Sequence, residues 1–327
     1  KFLLEDYKRL TEDLEDAQTK AYKEKNLIRL IHGHQFFDIY NYLFNNRYNG
    51  NIMPLLKRLS NNKIKKVQKY NYYNNFETED NEKKFNNMIE NINNFLIQCL
   101  RNNNIKPSDL YQDNFIKQKF DNLLLPGFYS WTSDMKLDIE IIKVYQNITG
   151  NFPLPITVLL CTKETNEEEI TSFIYRAILC EFRVLFIIMY SDNLELSNEQ
   201  YLLWILNSLY IKYKRQMKST LLITFTDINS ALRKELTKLT GHKYFISKNF
   251  INNNIKNDLK KNLIEIWSSD TTGVGKSTQI RLEAKRNNKN YIYFPIGGVT
   301  SRKDIINRIT ELEINNNNLN NNYLHID

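Results

Sequence analysis

The sequence has few of the residues that build disulfide or metal frameworks, and it has no long apolar run. Its three cysteines, Cys99, Cys161 and Cys180, lie far apart and each sits in an apolar stretch. This spacing predicts buried, reduced thiols rather than a disulfide set or a zinc site. The longest apolar run, residues 184–190, is far shorter than the ~20 residues that span a bilayer, and no signal peptide is recognisable. We therefore expect a cytosolic protein without a transmembrane segment.

The charge pattern also lacks a nucleic-acid signature. The formal net charge is +8, but the basic residues are spread out, with modest clusters only at residues 63–69 and 212–218. No aromatic and basic motif of an RNA-binding type accompanies them. The charge therefore predicts a solvated surface and no specific nucleic-acid partner. The chain begins at Lys1 and stops at Asp327 directly after an apolar run, so we expect it to be a piece of a longer protein.

Residues 1–150 have the spacing of helices. Apolar residues recur at helical intervals in residues 2–14, 27–43 and 85–99, with polar segments between them. The sequence His32-Gly33-His34 interrupts the second run, and a turn with surface histidines is favoured there over a metal site. This region is predicted to be an all-helical linker or arm.

Residues 151–250 change to a different rhythm. Apolar strands are predicted at residues 156–161, 184–189 and 220–225, with helices between them. Alternating apolar strands and helices predict a parallel sheet with crossover helices. Residues 258–327 repeat this rhythm as the first half of a second unit. Its predicted elements are strands at 263–267, 291–294 and 323–326, and helices from Lys276 and over 303–312.

A glycine-rich loop opens the helix of the second unit, and it carries the strongest functional signal. Its residues are Gly273, Val274, Gly275, Lys276, Ser277 and Thr278. A strand, such a loop and a helix present backbone N–H groups and the positive helix end to a polyphosphate. In this pattern the lysine reaches the β and γ phosphates and the Ser277 hydroxyl binds Mg²⁺. One departure is that the first glycine of the full P-loop motif is replaced by Asp270.

A magnesium ligand is predicted at the end of the third strand of this unit. Asp327 follows that strand and is a candidate Walker B aspartate, although an ordinary strand-end aspartate is an equal alternative. The next position, which would carry the glutamate that polarises the attacking water, lies beyond the sequence. The sequence therefore predicts ATP and Mg²⁺ binding and leaves hydrolysis open.

The first unit is similar but lacks the phosphate loop. Residues 162–166 follow its first predicted strand and contain no glycine, and the acids at 167–169 would repel a triphosphate. Residues 186–194 resemble the Walker B strand of AAA+ modules, and residues 220–227 resemble their sensor strand. We interpret residues 151–250 as a degenerate AAA+ unit that does not bind nucleotide, with a generic α/β domain as the alternative.

Together these residues resemble the giant AAA+ ubiquitin ligases of the mysterin type. The resemblance lies in Leu27–Phe36, in residues 159–161 with 168–170 and 175–177, and in the loop 268–277. It implies P-loop (AAA+) units of the α/β class after a helical linker, with neighbouring AAA+ units of the same chain as partners. It also implies a zinc-binding RING module outside this segment, which would bring a ubiquitin-conjugating enzyme and protein substrates as partners.

The function implied by this resemblance belongs to the whole protein. ATP binding in the second unit would drive or lock a conformational state, while ATP hydrolysis and ubiquitin transfer would need parts that this segment lacks. Two alternatives stay open: an AAA+ mechanical remodeller or motor of dynein or midasin type, and a nucleotide-gated scaffold that does not hydrolyse ATP.

Overall fold

The computed structural model describes residues 2–44, 52–67, 81–116, 126–132, 137–213, 215–227, 229–240, 275–295, 300, 304–305 and 322–326. The chain forms two compact units, Lys1–Asn253 and Asn254–Asp327. Side chains from both sides of residue 150 share one hydrophobic core in the first unit.

In the first unit, four helices precede the first strand, and four more lie between and after the strands. Its helices are α1 (Phe2–Glu24), α2 (Gly33–Phe44), α3 (Met53–Leu59), α4 (Asn81–Asn102), α5 (Leu137–Thr149), α6 (Glu167–Ile178), α7 (Leu196–Tyr213) and α8 (Ala231–Thr240). Its strands are β1 (Gly127–Thr132), β2 (Val158–Leu160), β3 (Leu185–Met189) and β4 (Thr220–Phe225).

The four strands form one parallel sheet in the order β1-β4-β3-β2. Side chains alternate between its two faces, as the pleat requires. On β3, Phe186 and Ile188 join the large core beneath α6, while Leu185 and Ile187 join a smaller core around Tyr145 of α5. Both faces are therefore covered, which explains why β3 and β4 are apolar at nearly every position. The predicted buried parallel strands are confirmed for β3 and β4. The strand predicted at 156–161 is shorter, because residues 155–157 form a 3-10 turn, and β2 is a half-buried edge strand.

One expectation for residues 1–150 was wrong, because this region is not all helical. Strand β1 lies within it and pairs with β4 along six residues, from Gly127 beside Thr220 to Thr132 beside Phe225. Its sequence is rich in aromatic residues, with Tyr129 and Trp131 on one face. Such residues favour strands, but the run is short and is stabilised by a partner far along the chain.

Helix α6 lies at the centre of the first unit. Asn166 caps it, accepting a hydrogen bond from the Glu169 N–H at 2.9 Å on its side-chain oxygen, as predicted for an opening rich in capping residues. Residues 170–178 are all buried, so the helix is enclosed on several sides. It contacts α7, the sheet and the N-terminal helix α1.

The N-terminal helices are fastened to α6 by Glu168. Its Oε1 accepts hydrogen bonds from the Gly33 N–H at 2.8 Å and from Gln18 Nε2 at 3.3 Å. Gly33 has φ +40°, and a Cβ there would approach Glu168 Oε2 to 3.2 Å. His32 Nδ1 lies 3.6 Å from Glu169 Oε1. The break predicted at His32-Gly33-His34 is confirmed, since α2 begins at Gly33, and these contacts join two of the stretches that carry the family resemblance.

The second unit is described in three elements. Helix α9 (Lys276–Arg286) leads through a short turn into β5 (Asn290–Phe294), and β6 (Asn322–Ile326) pairs with β5 in parallel. The turn is closed by hydrogen bonds from Asn288 N to Lys285 O and from Lys289 N to Ala284 O. The predicted parallel pairing is confirmed for these strands. The predicted strand at 263–267 lies outside the described residues, as does most of the helix at 303–312.

Candidate phosphate-binding site

The N-terminus of α9 has the backbone that a phosphate loop requires. Gly275 is its N-cap residue, with φ 77° and ψ 22° in the left-handed region, which glycine enters without steric cost. The first helical hydrogen bond runs from Gln279 N to Gly275 O at 3.0 Å. Gly275 offers no side chain to cap the helix, and the first turn carries no acidic residue. Neither Gly275 nor an acid of the first turn therefore neutralises the positive end of the helix dipole, which favours an anion.

This helix end lies at the carboxyl edge of the two strands. Helix α9 packs on β5 and β6, burying Ile280 and Ala284. Because the turn from α9 into β5 is short, the helix must run back along the strand, and its N-terminus then lies beside the carboxyl ends. Parallel α/β sheets bind their ligands at that edge.

The structure describes only part of the predicted site. Gly275, Ser277 and Thr278 lie together at the start of α9, and the backbone of Lys276 begins the helix. Gly273, Val274, the Lys276 side chain and Asp327 lie outside the described residues. Ile326 pairs with Phe294, so β6 ends level with β5 at the residue before the candidate magnesium ligand. Phosphate and magnesium binding by these residues stay predictions.

The left-handed conformation of Gly275 leads to a stability prediction. A Cβ at this position would meet no atom within 4 Å, so only the backbone resists substitution. We expect Gly275→Ala to destabilise the second unit by about 1 kcal/mol, and Gly275→Asn by less, because asparagine tolerates this conformation. Hydrogen exchange of the β5 and β6 amides measures the change. Equal protection in wild type and Gly275→Ala would contradict the required conformation.

In the first unit, the ends of β3 and β4 are tied to each other. Asp192 follows β3, and its Oδ2 accepts from Thr226 N at 2.9 Å, from Thr226 Oγ1 at 2.7 Å and from Asp227 N at 2.7 Å. Ser191 Oγ donates to Thr224 O at 2.9 Å. Asp192, which lies in the segment 186–194 that resembles a Walker B strand, thus holds the chain that follows β4.

The predicted position of a phosphate loop in the first unit needs correction. Residues 162–166 follow β2, which is the second strand of the sheet in chain order, after β1. The loop is also closed by its own side chains: Thr165 Oγ1 accepts from Thr162 N at 3.0 Å, and Thr162 Oγ1 accepts from Glu164 N at 3.2 Å. The strand missed at 127–132 caused the wrong assignment, because it comes before β2 in the chain.

The comparisons with known proteins identify no relative. No protein-family model matches the chain, and no curated protein is similar to it.

Other features of the described residues agree with the composition. Cys99, Cys161 and Cys180 are free and buried, as predicted. Burial raises the pKa of the Cys99 thiol to about 12 and that of the Cys180 thiol to about 11. Among the described residues, no cluster of histidine, cysteine, aspartate or glutamate could hold a metal ion. In the same part of the chain, no helix is long and apolar enough to cross a bilayer.

Two buried arginines were missed in the sequence. Arg29 and Arg176 are 7% and 6% exposed, and they belong to the two stretches that carry the family resemblance. Arg176 Nε donates to Arg29 O at 2.6 Å, which joins the stretches directly. A charged residue inside an apolar run, as in Ile28-Arg29-Leu30-Ile31, is the signal that could have found them, because a buried charge needs partners.

Proposed function

We propose that the chain is the ATP-binding AAA+ portion of a large, mysterin-like ubiquitin-protein ligase. In this proposal the second unit binds ATP with Mg²⁺, and nucleotide drives or locks a conformational state of neighbouring AAA+ units. The observation that carries it is the left-handed Gly275, which begins a helix without an acid in its first turn beside the carboxyl ends of two parallel strands.

The residues of the loop fit a triphosphate. The first turn of α9 carries Lys276, Ser277 and Thr278 and no acid. Lys276 would bind the β and γ phosphates, and the Ser277 hydroxyl and Asp327 would hold Mg²⁺. The binding of ATP would supply the free energy for the conformational change, and the loop of this chain would hold the phosphates.

The second part of the proposal is that the first unit does not bind nucleotide. Strand β1, followed by α5, has the strand and helix order of a phosphate-binding unit, but the segment between them, Ser133-Asp134-Met135-Lys136, contains no glycine. Asp192 is engaged by the chain after β4. Both features support a unit that keeps a sheet of this kind without binding nucleotide.

Ubiquitin transfer is proposed for the whole protein and rests on the family resemblance alone. Zinc would belong to its RING module, and a ubiquitin-conjugating enzyme and protein substrates would be partners there. We also propose a cytosolic location, which the three free cysteines support.

The test is nucleotide binding by the chain with one lysine removed. Charge-assisted hydrogen bonds contribute about 1.5 to 3 kcal/mol, so we expect Lys276→Ala to weaken MgATP binding by about 10- to 100-fold. The matched control is Lys285→Ala, because Lys285 lies in the last turn of the same helix and is exposed. Titration with a fluorescent ATP analogue measures all three proteins. Equal affinity of wild type and Lys276→Ala would reject the phosphate-loop assignment.

A further inference from the structure

A cavity of about 260 Å³ opens inside the first unit. It lies between the turn at Ile28–Leu30, the turn at Pro107–Leu110 and the segment that follows α6. Its apolar lining is formed by Leu27, Leu30, Leu110, Leu179 and Phe182. Pockets for drug-sized ligands have volumes of about 300 to 1,000 Å³, so this cavity suits a smaller organic molecule.

Two guanidinium groups face the apolar lining. Arg176 is 6% exposed, and its Nε and Nη1 donate to Arg29 O at 2.6 Å and to Ile156 O at 2.9 Å. A guanidinium has further N–H donors, and among the described residues no acceptor takes the Nη2 donors of Arg176. The guanidinium carbon of Arg176, Cζ, also lies 5.7 Å from the centre of the Phe173 ring.

Arg29 is nearly saturated by neutral acceptors. Its Nε donates to Tyr22 O at 2.5 Å, and its Nη2 donates to Lys23 O at 2.8 Å. Its Nη1 donates to Asn26 Oδ1 at 2.9 Å and to Leu179 O at 3.2 Å. Arg29 therefore contributes positive charge to the cavity and few free donors.

The positive charge of the cavity has no counter-ion within the described residues. No carboxylate there forms an ion pair with Arg29 or Arg176. Burial lowers the pKa of both guanidinium groups, which shows that desolvation opposes their charge. Arginine nonetheless stays protonated in proteins, so two buried cations share this site. The acid in the cavity lining is Glu181, which is exposed.

Tyr111 adds a hydroxyl donor to the same wall. Its ring is held edge-on against Phe186, with centroids 6.0 Å apart. Burial raises the pKa of Tyr111, and the positive charges of Arg176 and Arg29 lower it in part, so its hydroxyl lies near both cations. Among the described residues, its hydroxyl has no hydrogen-bond partner, so it stays available as a donor.

We propose that this cavity binds a small organic oxyanion with an apolar body. The oxyanion, a carboxylate or a phosphate monoester, would accept hydrogen bonds from Arg176 Nη2 and the Tyr111 hydroxyl. The apolar body would pack on Leu110 and its neighbours. Planar guanidinium donors match the oxygen geometry of both groups. The site would couple the N-terminal helices to α6, because its walls come from both.

The test uses calorimetric titration of the 327-residue chain with three probes. Benzoate and phenyl phosphate carry the two oxyanions, and benzyl alcohol is a neutral molecule of similar shape. We expect saturable binding of at least one oxyanion. The probe that binds more tightly shows whether the site prefers a carboxylate or a phosphate monoester. Absence of saturable binding by both oxyanions would overturn the proposal. Binding of benzyl alcohol as tight as that of the oxyanions would overturn it as well.

Two variants test the assigned contacts without removing a buried cation. Tyr111→Phe keeps the ring and should weaken oxyanion binding by about 3- to 10-fold. Glu181→Gln removes the acid in the cavity lining and should strengthen it by about 2- to 5-fold. Glu195→Gln, an equally exposed change elsewhere, should leave it unaltered. Affinities that stay the same in Tyr111→Phe and Glu181→Gln would contradict the site. A loss of MgATP binding in Lys276→Ala leaves this result unaffected, so the two proposals fail separately.

Discussion

Replacing Arg29 with methionine is expected to lower the free energy of unfolding of the first unit by about 3 kcal/mol or more. Methionine has a similar length but donates no hydrogen bonds. The substitution removes the donor from Tyr22 O in a buried region, and from Lys23 O and Leu179 O in a partly buried one. Each unpaired buried acceptor costs about 1 to 3 kcal/mol, and the relief of removing a buried charge offsets only part of that cost.

The measurement is urea unfolding monitored by hydrogen exchange of the β3 and β4 amides, because these amides report the first unit alone. Arg101→Met is the matched control, because Arg101 is exposed at the end of α4 and should change stability by less than about 0.5 kcal/mol. Arg29→Lys should also destabilise, because an ammonium group cannot reach acceptors on several sides. An Arg29→Met protein as stable as Arg101→Met would show that these hydrogen bonds contribute little.

Replacing Phe186 with alanine is expected to cost about 3 to 5 kcal/mol in the same unit. Phe186 is 0% exposed on the central strand β3, and its ring meets Phe173 edge-on at 5.9 Å. Removing it leaves a cavity between the sheet and α6, which neighbouring side chains fill only in part.

The same exchange measurement tests Phe186→Ala against an exposed phenylalanine. Phe37 lies on α2 and is 61% exposed. Phe37→Ala should therefore cost less than about 1 kcal/mol. A similar loss for both variants would mean that the packing between β3 and α6 does not hold the unit together.

Sequence patterns predicted the elements whose cause lies in neighbouring residues, such as an apolar run, a capping residue or a loop motif. The bounds of β4 match the predicted 220–225, because a wholly apolar run buried on both faces stands out from its flanks. The start of α6 was marked by its capping residue and its acids, and Gly275 by its place in the loop motif. In each case the physical cause lies within a few residues.

The parts that were missed depend on contacts between distant residues. Strand β1 is short, and it is stabilised by pairing with β4, some ninety residues further along. Glu168 and Gly33 are 135 positions apart in the chain. No window of sequence contains both partners, so their pairing could not be predicted from periodicity. The cavity around Arg176 has the same origin, since its walls come from three separate stretches.

We propose that the second unit binds nucleotide and that the first does not. Hydrogen exchange with and without MgATP tests it most directly, because peptides from both units are compared in one sample. We expect slower exchange in peptides that cover residues 272–280, and no change in peptides that cover 133–136 or 162–166. Unchanged exchange at 272–280, or equal slowing at 133–136, would contradict this proposal.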